Sequence, residues 1–161
     1  MIRIQFVCLG NICRSPLAEG VFRHLVRQRG LENDYEIASA GTGAWHVGQA
    51  PDTRMQRTAS SHGVDISRQR ADQFQTRDLN RFDHIFAMDQ ANLDDILAMV
   101  EPHDDAAKEK VVLFRASDPK PDDFQVPDPY YGGERGFETV FGIVSRTCES
   151  ILDELASEAK D

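Results

Sequence analysis

The sequence has no long hydrophobic run, no excess of basic residues and few cysteines. No apolar stretch of its 161 residues approaches the roughly 20 residues of a membrane-spanning helix. The net charge of −9 argues against nucleic-acid binding, because such binding needs a basic face. The N-terminus lacks the basic start and the apolar segment of a signal peptide. We therefore expect a protein that binds neither membrane nor nucleic acid.

The three cysteines are Cys8, Cys13 and Cys148, an odd number that does not fit a secreted disulfide framework. A reducing, cytoplasmic location is expected instead. Cys8 and Cys13 have no further ligands at the spacing of a zinc site, so we expect no metal and no cofactor. The Gly-x4-Gly-Lys-[Ser/Thr] motif of nucleotide-binding loops is also missing.

Apolar patterning alternates between strands and helices along a chain whose length suits one domain, 1–161. Strands are predicted over 2–7, 35–39, 84–88 and 111–114, and residues 115–136 are predicted as a long structured loop. Helices are predicted over 15–30 with Ser15 as the cap, over 52–62, over 89–100 with Asp89 as the cap, and from 137 onward. This order predicts an α/β fold with a four-stranded parallel sheet, doubly wound and flavodoxin-like, with helices on both faces.

The segment from Cys8 to Arg14 is the most informative part of the sequence. It follows the first predicted strand and precedes a helix, so the cysteine meets unsatisfied N–H groups and the positive end of a helix dipole. The same backbone can hold a phosphate-like oxyanion, and Arg14 adds a planar fork of donors that suits two phosphate oxygens. The loop after strand one is therefore predicted to bind phosphate and to transfer a phosphoryl group to sulfur.

The sequence from Val7 to Pro16, Val-Cys-Leu-Gly-Asn-Ile-Cys-Arg-Ser-Pro, resembles the signature loop of the low molecular weight protein tyrosine phosphatases. Four further stretches agree in the expected order, namely Ser39-Ala40-Gly41-Thr42, Trp45-His46-Val47-Gly48, Met88-Asp89-Gln90-Ala91-Asn92-Leu93 and Asp128-Pro129-Tyr130-Tyr131-Gly132. A cysteine and an arginine at this interval are common by chance. Their combination with a distant Asp-Pro-Tyr-Tyr is far more specific.

The resemblance implies three catalytic residues. Cys8 is the nucleophile that forms a cysteinyl phosphate, and Arg14 binds the equatorial oxygens. Asp128 protonates the leaving phenolate and then acts as base toward water. Ser15 donates to the Cys8 sulfur. Cys13 can pair with an oxidised Cys8 and shield it from further oxidation.

The remaining implied residues bind substrate. Trp45, Tyr130 and Tyr131 form apolar walls for an aromatic ring, although a lone tryptophan such as Trp45 is equally compatible with partial core. Gly10 allows a close approach, and Asn11 tolerates a left-handed backbone. The loop residues expected to contact substrate are Leu9, Gly10, Asn11, Ile12, Cys13 and Ser15.

One position departs from the family pattern. Gln69 stands where many members carry a histidine that supports the loop asparagine. Two interpretations stay open: Gln69 replaces the imidazole, or Asn11 is supported differently.

The predicted function is hydrolysis of phosphotyrosine and small aryl phosphates. The alternatives are a thiol-dependent arsenate reductase of the same fold, which needs further redox cysteines, and a non-catalytic phosphotyrosine-binding module, which has no need for Asp128. The resemblance implies phosphotyrosine proteins as partners, with a tyrosine kinase of polysaccharide export as one candidate if the source is bacterial. A monomer is expected.

Overall fold

The computed structural model describes residues 1–129 and 133–160. Its four strands form one parallel sheet in the order β2-β1-β3-β4. The strands are β1 (Ile2–Cys8), β2 (Tyr35–Gly41), β3 (His84–Ala87) and β4 (Val111–Leu113). The predicted α/β fold with a parallel, doubly wound sheet is therefore confirmed.

Six helices accompany the sheet within the described residues: α1 (Arg14–Gln28), α2 (Thr53–Ser61), α3 (Asp78–Arg81), α4 (Gln90–Leu97), α5 (Asp105–Lys110) and α6 (Glu134–Lys160). The sequence did not predict α3 and α5, because helices of four and six residues are too short to show an apolar period. Helix α4 ends before the predicted residue 100, and α6 begins inside the predicted loop. In the part of the chain that is described, no helix is both long and apolar enough to cross a membrane.

The two faces of the sheet bury separate apolar cores. Phe6 of β1 packs in one core with Phe22 of α1 and Val144 of α6. Val7, the next residue of the strand, lies in the other core with Ile96 of α4. Because successive side chains of a strand point to opposite faces, this alternation places helices on both sides of the sheet, as predicted.

The carboxyl ends of the strands gather the segments that carry the predicted site. Strand β1 ends at Cys8, and residues 9–13 connect it to α1. The segment after β4, predicted as a long loop, returns to this edge, since the Val126 N–H donates to the Met88 carbonyl just beyond β3 at 2.7 Å. Asp128 follows two residues later. Ligands of such sheets bind at this edge.

Candidate active site

The loop between β1 and α1 is held from outside through its carbonyl groups. Hydrogen bonds of 2.8–2.9 Å reach the carbonyls of Cys8, Leu9 and Ile12 from the amides of Thr42, Gly43 and Asp52, respectively. The loop also packs closely on the end of β2. A Cβ atom at Gly41 would lie 2.7 Å from the Leu9 carbonyl oxygen, so a larger residue there would displace the loop.

The amide groups of the same loop remain available. Among the described residues, no acceptor takes up the N–H groups of Gly10, Ile12 and Cys13. Cys13 occupies the N-cap position of α1 but makes no side-chain cap hydrogen bond. Free amides at a helix N-terminus form a cradle for an oxyanion.

Cys8 lies at the bottom of this cradle and is only 3% exposed. Its Sγ atom accepts a hydrogen bond from the Asn11 N–H at 3.3 Å and lies 2.9 Å from the Ser15 hydroxyl. The prediction that Ser15 caps α1 is wrong, because the helix begins one residue earlier, at Arg14. The Ser15 side chain faces the cysteine sulfur instead.

The other two cysteines are in surroundings that keep them protonated. Burial raises the pKa of the Cys13 thiol, and the nearby Asp52 and Cys8 raise it further. Burial alone raises the pKa of Cys148, whose Sγ lies 3.7 Å from the Ala18 carbonyl oxygen in the core. Neither thiol is suited to act as a nucleophile near neutral pH.

Asn11 braces the loop through its side chain. Its φ angle of 57° is left-handed, a conformation that asparagine tolerates better than most residues. Its Nδ2 group donates to Ser15 Oγ at 2.7 Å and to Ser39 Oγ at 3.0 Å, and its Oδ1 atom accepts from the Asp72 N–H at 2.9 Å. The Ser39 hydroxyl donates in turn to Glu19 at 2.9 Å.

Of the two interpretations of Gln69, the structure supports the second. The Gln69 side-chain amide donates to the Pro16 carbonyl at 2.9 Å and makes no hydrogen bond to Asn11. The Asp72 backbone amide instead supports Asn11. A sequence pattern could not have revealed this contact, because any residue other than proline supplies a backbone N–H.

Arg14 is 3% exposed, yet charged groups surround it. It donates to Asp89 Oδ2 at 2.7 Å and to the Val126 carbonyl at 3.1 Å, and its second terminal nitrogen lies 3.7 Å from Asp128 Oδ2. Burial disfavours the guanidinium charge, but Cys8 and the two carboxylates raise the Arg14 pKa above its ordinary value. The charge is therefore secure at every physiological pH.

Asp89 has two structural roles. Its Oδ1 atom accepts from the Asn92 N–H at 2.8 Å, so it caps α4 as predicted. Its other oxygen holds Arg14. The sequence predicted the cap but not the ion pair, which joins side chains 75 positions apart.

The loop, Trp45 and Asp128 enclose one cavity of about 310 Å³. Trp45 is 70% exposed, so it does not belong to the core. The cavity is lined by Cys8, Leu9, Gly10, Ile12, Cys13, Arg14, Trp45, His46 and Asp128. Of the residues expected at the site, Asn11 and Ser15 lie behind the loop as its support, and Tyr130 and Tyr131 fall outside the described residues.

His46 is a cavity residue to which we assigned no role. Its ring packs against Gly10, where an added Cβ would lie 3.0 Å from His46 Cδ2, and its Nδ1 atom lies 2.9 Å from Gln49 Oε1. In the sequence, only its position next to Trp45 indicated that His46 would line the cavity. Within residues 1–129 and 133–160, no group of three or more His, Cys, Asp or Glu side chains could hold a metal ion.

Known proteins resemble this chain over nearly its whole length. The model of the low molecular weight phosphotyrosine protein phosphatase family matches residues 3–161. The chain belongs to this family. The family's protein from Gallus gallus is 41% identical over 150 residues, 93% of both chains. A low molecular weight protein-tyrosine-phosphatase of Streptomyces coelicolor is 42% identical over 152 residues, 93% of this chain and 91% of that one.

A solved structure supports the same assignment. The crystal structure of an Entamoeba histolytica protein tyrosine phosphatase, with Hepes in its active site, has a TM-score of 0.92 to this chain. It is 35% identical, and the match covers 99% of each chain. The resemblance inferred from the sequence is thus confirmed, and it extends over the whole low molecular weight phosphatase fold rather than the signature loop alone.

Proposed function

We propose that the protein is a protein tyrosine phosphatase that hydrolyses phosphotyrosine and small aryl phosphates through a cysteinyl-phosphate intermediate. One observation carries the proposal: Cys8, Arg14 and Asp128 line the same cavity, with the guanidinium between the loop and the carboxylate. A nucleophile, an oxyanion clamp and a proton donor are the three parts that such a reaction needs.

In the first step the Cys8 thiolate attacks phosphorus, and the S–P bond forms as the bond from phosphorus to the aryl oxygen breaks. Protonated Asp128 delivers its proton to that oxygen, so the product leaves as a neutral phenol. Arg14 and the free amides of Gly10, Ile12 and Cys13 hold the equatorial oxygens.

In the second step water attacks the phosphorus of the cysteinyl phosphate, and the Asp128 carboxylate takes its proton. The S–P bond breaks, phosphate is released and the thiolate returns. The Ser15 hydroxyl, 2.9 Å from the sulfur, stabilises the thiolate as a leaving group.

Apolar side chains at the cavity mouth suit an aryl substrate. Leu9 and Trp45 are 43% and 70% exposed there. An aromatic ring stacked between such groups is removed from water on both faces. We propose the same wall function for Tyr130 and Tyr131 and a contact with substrate for Ile12.

The two alternative functions are less well supported. A thiol-dependent arsenate reductase needs a chain of accessible cysteines, whereas Cys148 is fully buried. In a pure binding module, the Asp128 carboxylate beside Arg14 would repel a bound phosphate dianion unless the carboxylate is protonated. Asp128 therefore favours catalysis over binding.

Hydrolysis of aryl phosphates in the presence of a metal chelator tests the proposal. We expect no turnover by Cys8→Ser with binding of a phosphate analogue retained, and a roughly 100-fold loss by Asp128→Asn on phenyl phosphate, the range of general-acid catalysis. Asp105→Asn, an exposed carboxylate on α5, is the control and should keep full activity. Turnover that depends on added metal, or full activity of Cys8→Ser, would contradict the mechanism.

The substrates are proposed to be phosphotyrosine proteins, including a tyrosine kinase of polysaccharide export if the source is bacterial. We also propose a single-domain, monomeric enzyme in the cytoplasm, where the Cys8 thiol stays reduced. Light scattering of the purified protein tests the monomer. Incubation with an autophosphorylated kinase of this class tests the partner, and a phosphotyrosine signal that persists would count against it.

A further inference from the structure

The segment that leads to Asp128 folds around a buried guanidinium. Arg115 lies in the short 3₁₀ turn Phe114–Ser117 directly after β4 and is only 1% exposed. Arginine is rarely buried so completely unless its charge is paired, because an unpaired buried charge is costly. The partners of Arg115 all come from residues 118–125.

One guanidinium contacts this segment at three points. Its Nε atom donates to Asp118 Oδ2 at 3.0 Å, its Nη2 group to Asp122 Oδ1 at 2.5 Å and its Nη1 group to the Gln125 carbonyl at 2.8 Å. We call these four residues the Arg115 clasp. A planar fork of five donors can close a loop in this way, whereas the single ammonium of lysine cannot reach three separate points.

The clasp is also attached to the last helix. Arg146 of α6 donates to both carboxylate oxygens of Asp118, at 2.8 and 3.1 Å, and the Asp118 side chain is fully buried. The Lys120 N–H adds a further bond to Asp118 at 2.9 Å. The first turn of the segment is thereby fixed to α6.

A short, stiff path leads from the clasp to the proposed acid. The clasp holds the Gln125 carbonyl, and the next residue, Val126, is held by the Met88 carbonyl and by Arg14. Only Pro127, whose φ angle is fixed by its ring, separates Val126 from Asp128. A shift of the clasp residues is therefore transmitted to Asp128, because little flexible chain lies between them.

We propose that Arg115 is a positioning residue for the reaction, which places the Asp128 carboxyl group over the leaving-group oxygen by closing residues 118–125 into a rigid loop. It touches neither substrate nor the reacting atoms. The inference rests on the proposed role of Asp128 as general acid.

The dependence of the rate on the leaving group tests this inference. A general acid matters most for a poor leaving group such as phenolate and least for 2,4-dinitrophenolate, which departs without a proton. The quantity to compare is kcat/KM, because it reports only the steps up to formation of the cysteinyl phosphate, whereas kcat also contains the hydrolysis step in which Asp128 acts as base for both substrates. For Arg115→Met we expect kcat/KM to fall about 10- to 100-fold on phenyl phosphate, at or below the lower end of the effect of general-acid catalysis, and less than about threefold on 2,4-dinitrophenyl phosphate. Arg115→Lys should show the same pattern, because charge alone does not restore three contacts.

Two further variants separate positioning from general loss of structure. Asp122→Asn removes the charge of one exposed partner of the clasp and should lower kcat/KM on phenyl phosphate severalfold with the same leaving-group pattern. Arg81→Met, which removes a surface ion pair with Glu36, is the matched control and should leave kcat/KM unchanged on both substrates. If neither Arg115 variant folds, the comparison of Asp122→Asn with this control decides by the same criterion.

A double variant completes the test. When Arg115→Met is added to Asp128→Asn, kcat/KM on phenyl phosphate should fall by less than about a further twofold. The effects of two residues that act through one group are not additive. Equal losses on both substrates, or additive losses in the double variant, would overturn the role of Arg115 alone. An Asp128→Asn variant that shows no leaving-group dependence would instead overturn the proposed acid itself.

Discussion

The side-chain amide of Asn11 lies 3.0 Å from the hydroxyl of Ser39, which links the loop between β1 and α1 to the end of β2. Ser39→Ala removes this acceptor, but Ser15 and Asp72 still hold Asn11. The substitution also removes the hydrogen bond from the Ser39 hydroxyl to Glu19. We therefore expect a loss of about 1–3 kcal/mol in the free energy of unfolding, the net worth of two hydrogen bonds, together with a severalfold fall in kcat. Urea denaturation and steady-state kinetics measure the two effects.

Two comparisons sharpen that prediction. Asn11→Ala should cost more than Ser39→Ala, because it loses all three side-chain contacts and because alanine tolerates a left-handed φ less well than asparagine does. Ser61→Ala removes a hydroxyl that donates to Thr58 at an exposed helix end, and should change neither quantity. Equal behaviour of Ser39→Ala and Ser61→Ala would show that the Asn11 contact is unimportant.

The two roles of Asp89 can be separated by one substitution. Asparagine is as good a helix cap as aspartate, so Asp89→Asn should keep α4, and its stability should fall only by the loss of the ion pair with buried Arg14, about 1.5–3 kcal/mol. It removes the negative charge from Arg14, and we expect kcat/KM for aryl phosphates to fall about tenfold, as for the loss of one charge-assisted hydrogen bond. The measurement is a Michaelis–Menten comparison alongside thermal melting.

Asp104→Asn is the control for the Asp89 prediction. Asp104 caps α5 with the same geometry, accepting from the Ala107 N–H at 3.1 Å, but does not contact the site. It should leave kcat/KM unchanged. An Asp89→Asn enzyme with normal kinetics would mean that Val126 and Asp128 alone orient Arg14.

Selective alkylation should distinguish the cysteines. The raised pKa values of Cys13 and Cys148 leave almost no thiolate near neutral pH, so iodoacetamide is expected to modify Cys8 first. Peptide mass spectrometry after brief treatment at pH 7 identifies the modified residue, and inorganic phosphate should protect it. Rapid alkylation of Cys13 in the Cys8→Ser variant would contradict this assignment.

The buried Asp118 predicts a pH-dependent contribution to stability. Burial opposes its charge, but hydrogen bonds from Arg146, Lys120 and Arg115 lower its pKa from 3.8 to about 2. A carboxyl group with a lowered pKa stabilises the folded state above its ordinary pKa, by roughly 2 kcal/mol for this shift. That contribution should disappear as the pH falls from about 4 to about 2.

Urea denaturation of the wild type and Asp118→Asn between pH 7 and pH 3 measures this effect. The difference in unfolding free energy should be constant near neutral pH and should shrink below about pH 4. Arg146→Met removes the main partner of Asp118 and should make the remaining difference less dependent on pH. A difference that stays constant down to pH 3 would show that Asp118 is not held by its charge.

The sequence predicted the fold well because long apolar patterns determine it. Strands β1 to β4 lie within a few residues of their predicted bounds, and α1, α2 and α6 follow from amphipathic runs of nine residues or more. The boundaries were less accurate. Ser15 looks like a helix cap in sequence, but the tight loop starts α1 at Arg14 and directs the hydroxyl toward Cys8.

The site was predictable where its residues are neighbours in sequence. Cys8 and Arg14 are joined by one loop, so their spacing determines that they meet. The contacts of Arg14 with Asp89, of Asn11 with Asp72 and of Arg115 with Gln125 join separate segments or involve backbone groups. No spacing rule reveals such pairs, because their geometry follows from how the strands and loops pack.

The sequence by itself therefore determined the class of fold, the family resemblance and the identity of the candidate nucleophile, clamp and acid. Only the tertiary structure decided how that apparatus is held: Asp72 rather than Gln69 supports Asn11, Asp89 orients Arg14, and Arg115 closes the loop before Asp128. The physical reason is the separation in sequence between the residues that interact. Local patterns encode secondary structure and short loops, whereas the partners of buried polar groups are chosen by the packing of distant segments.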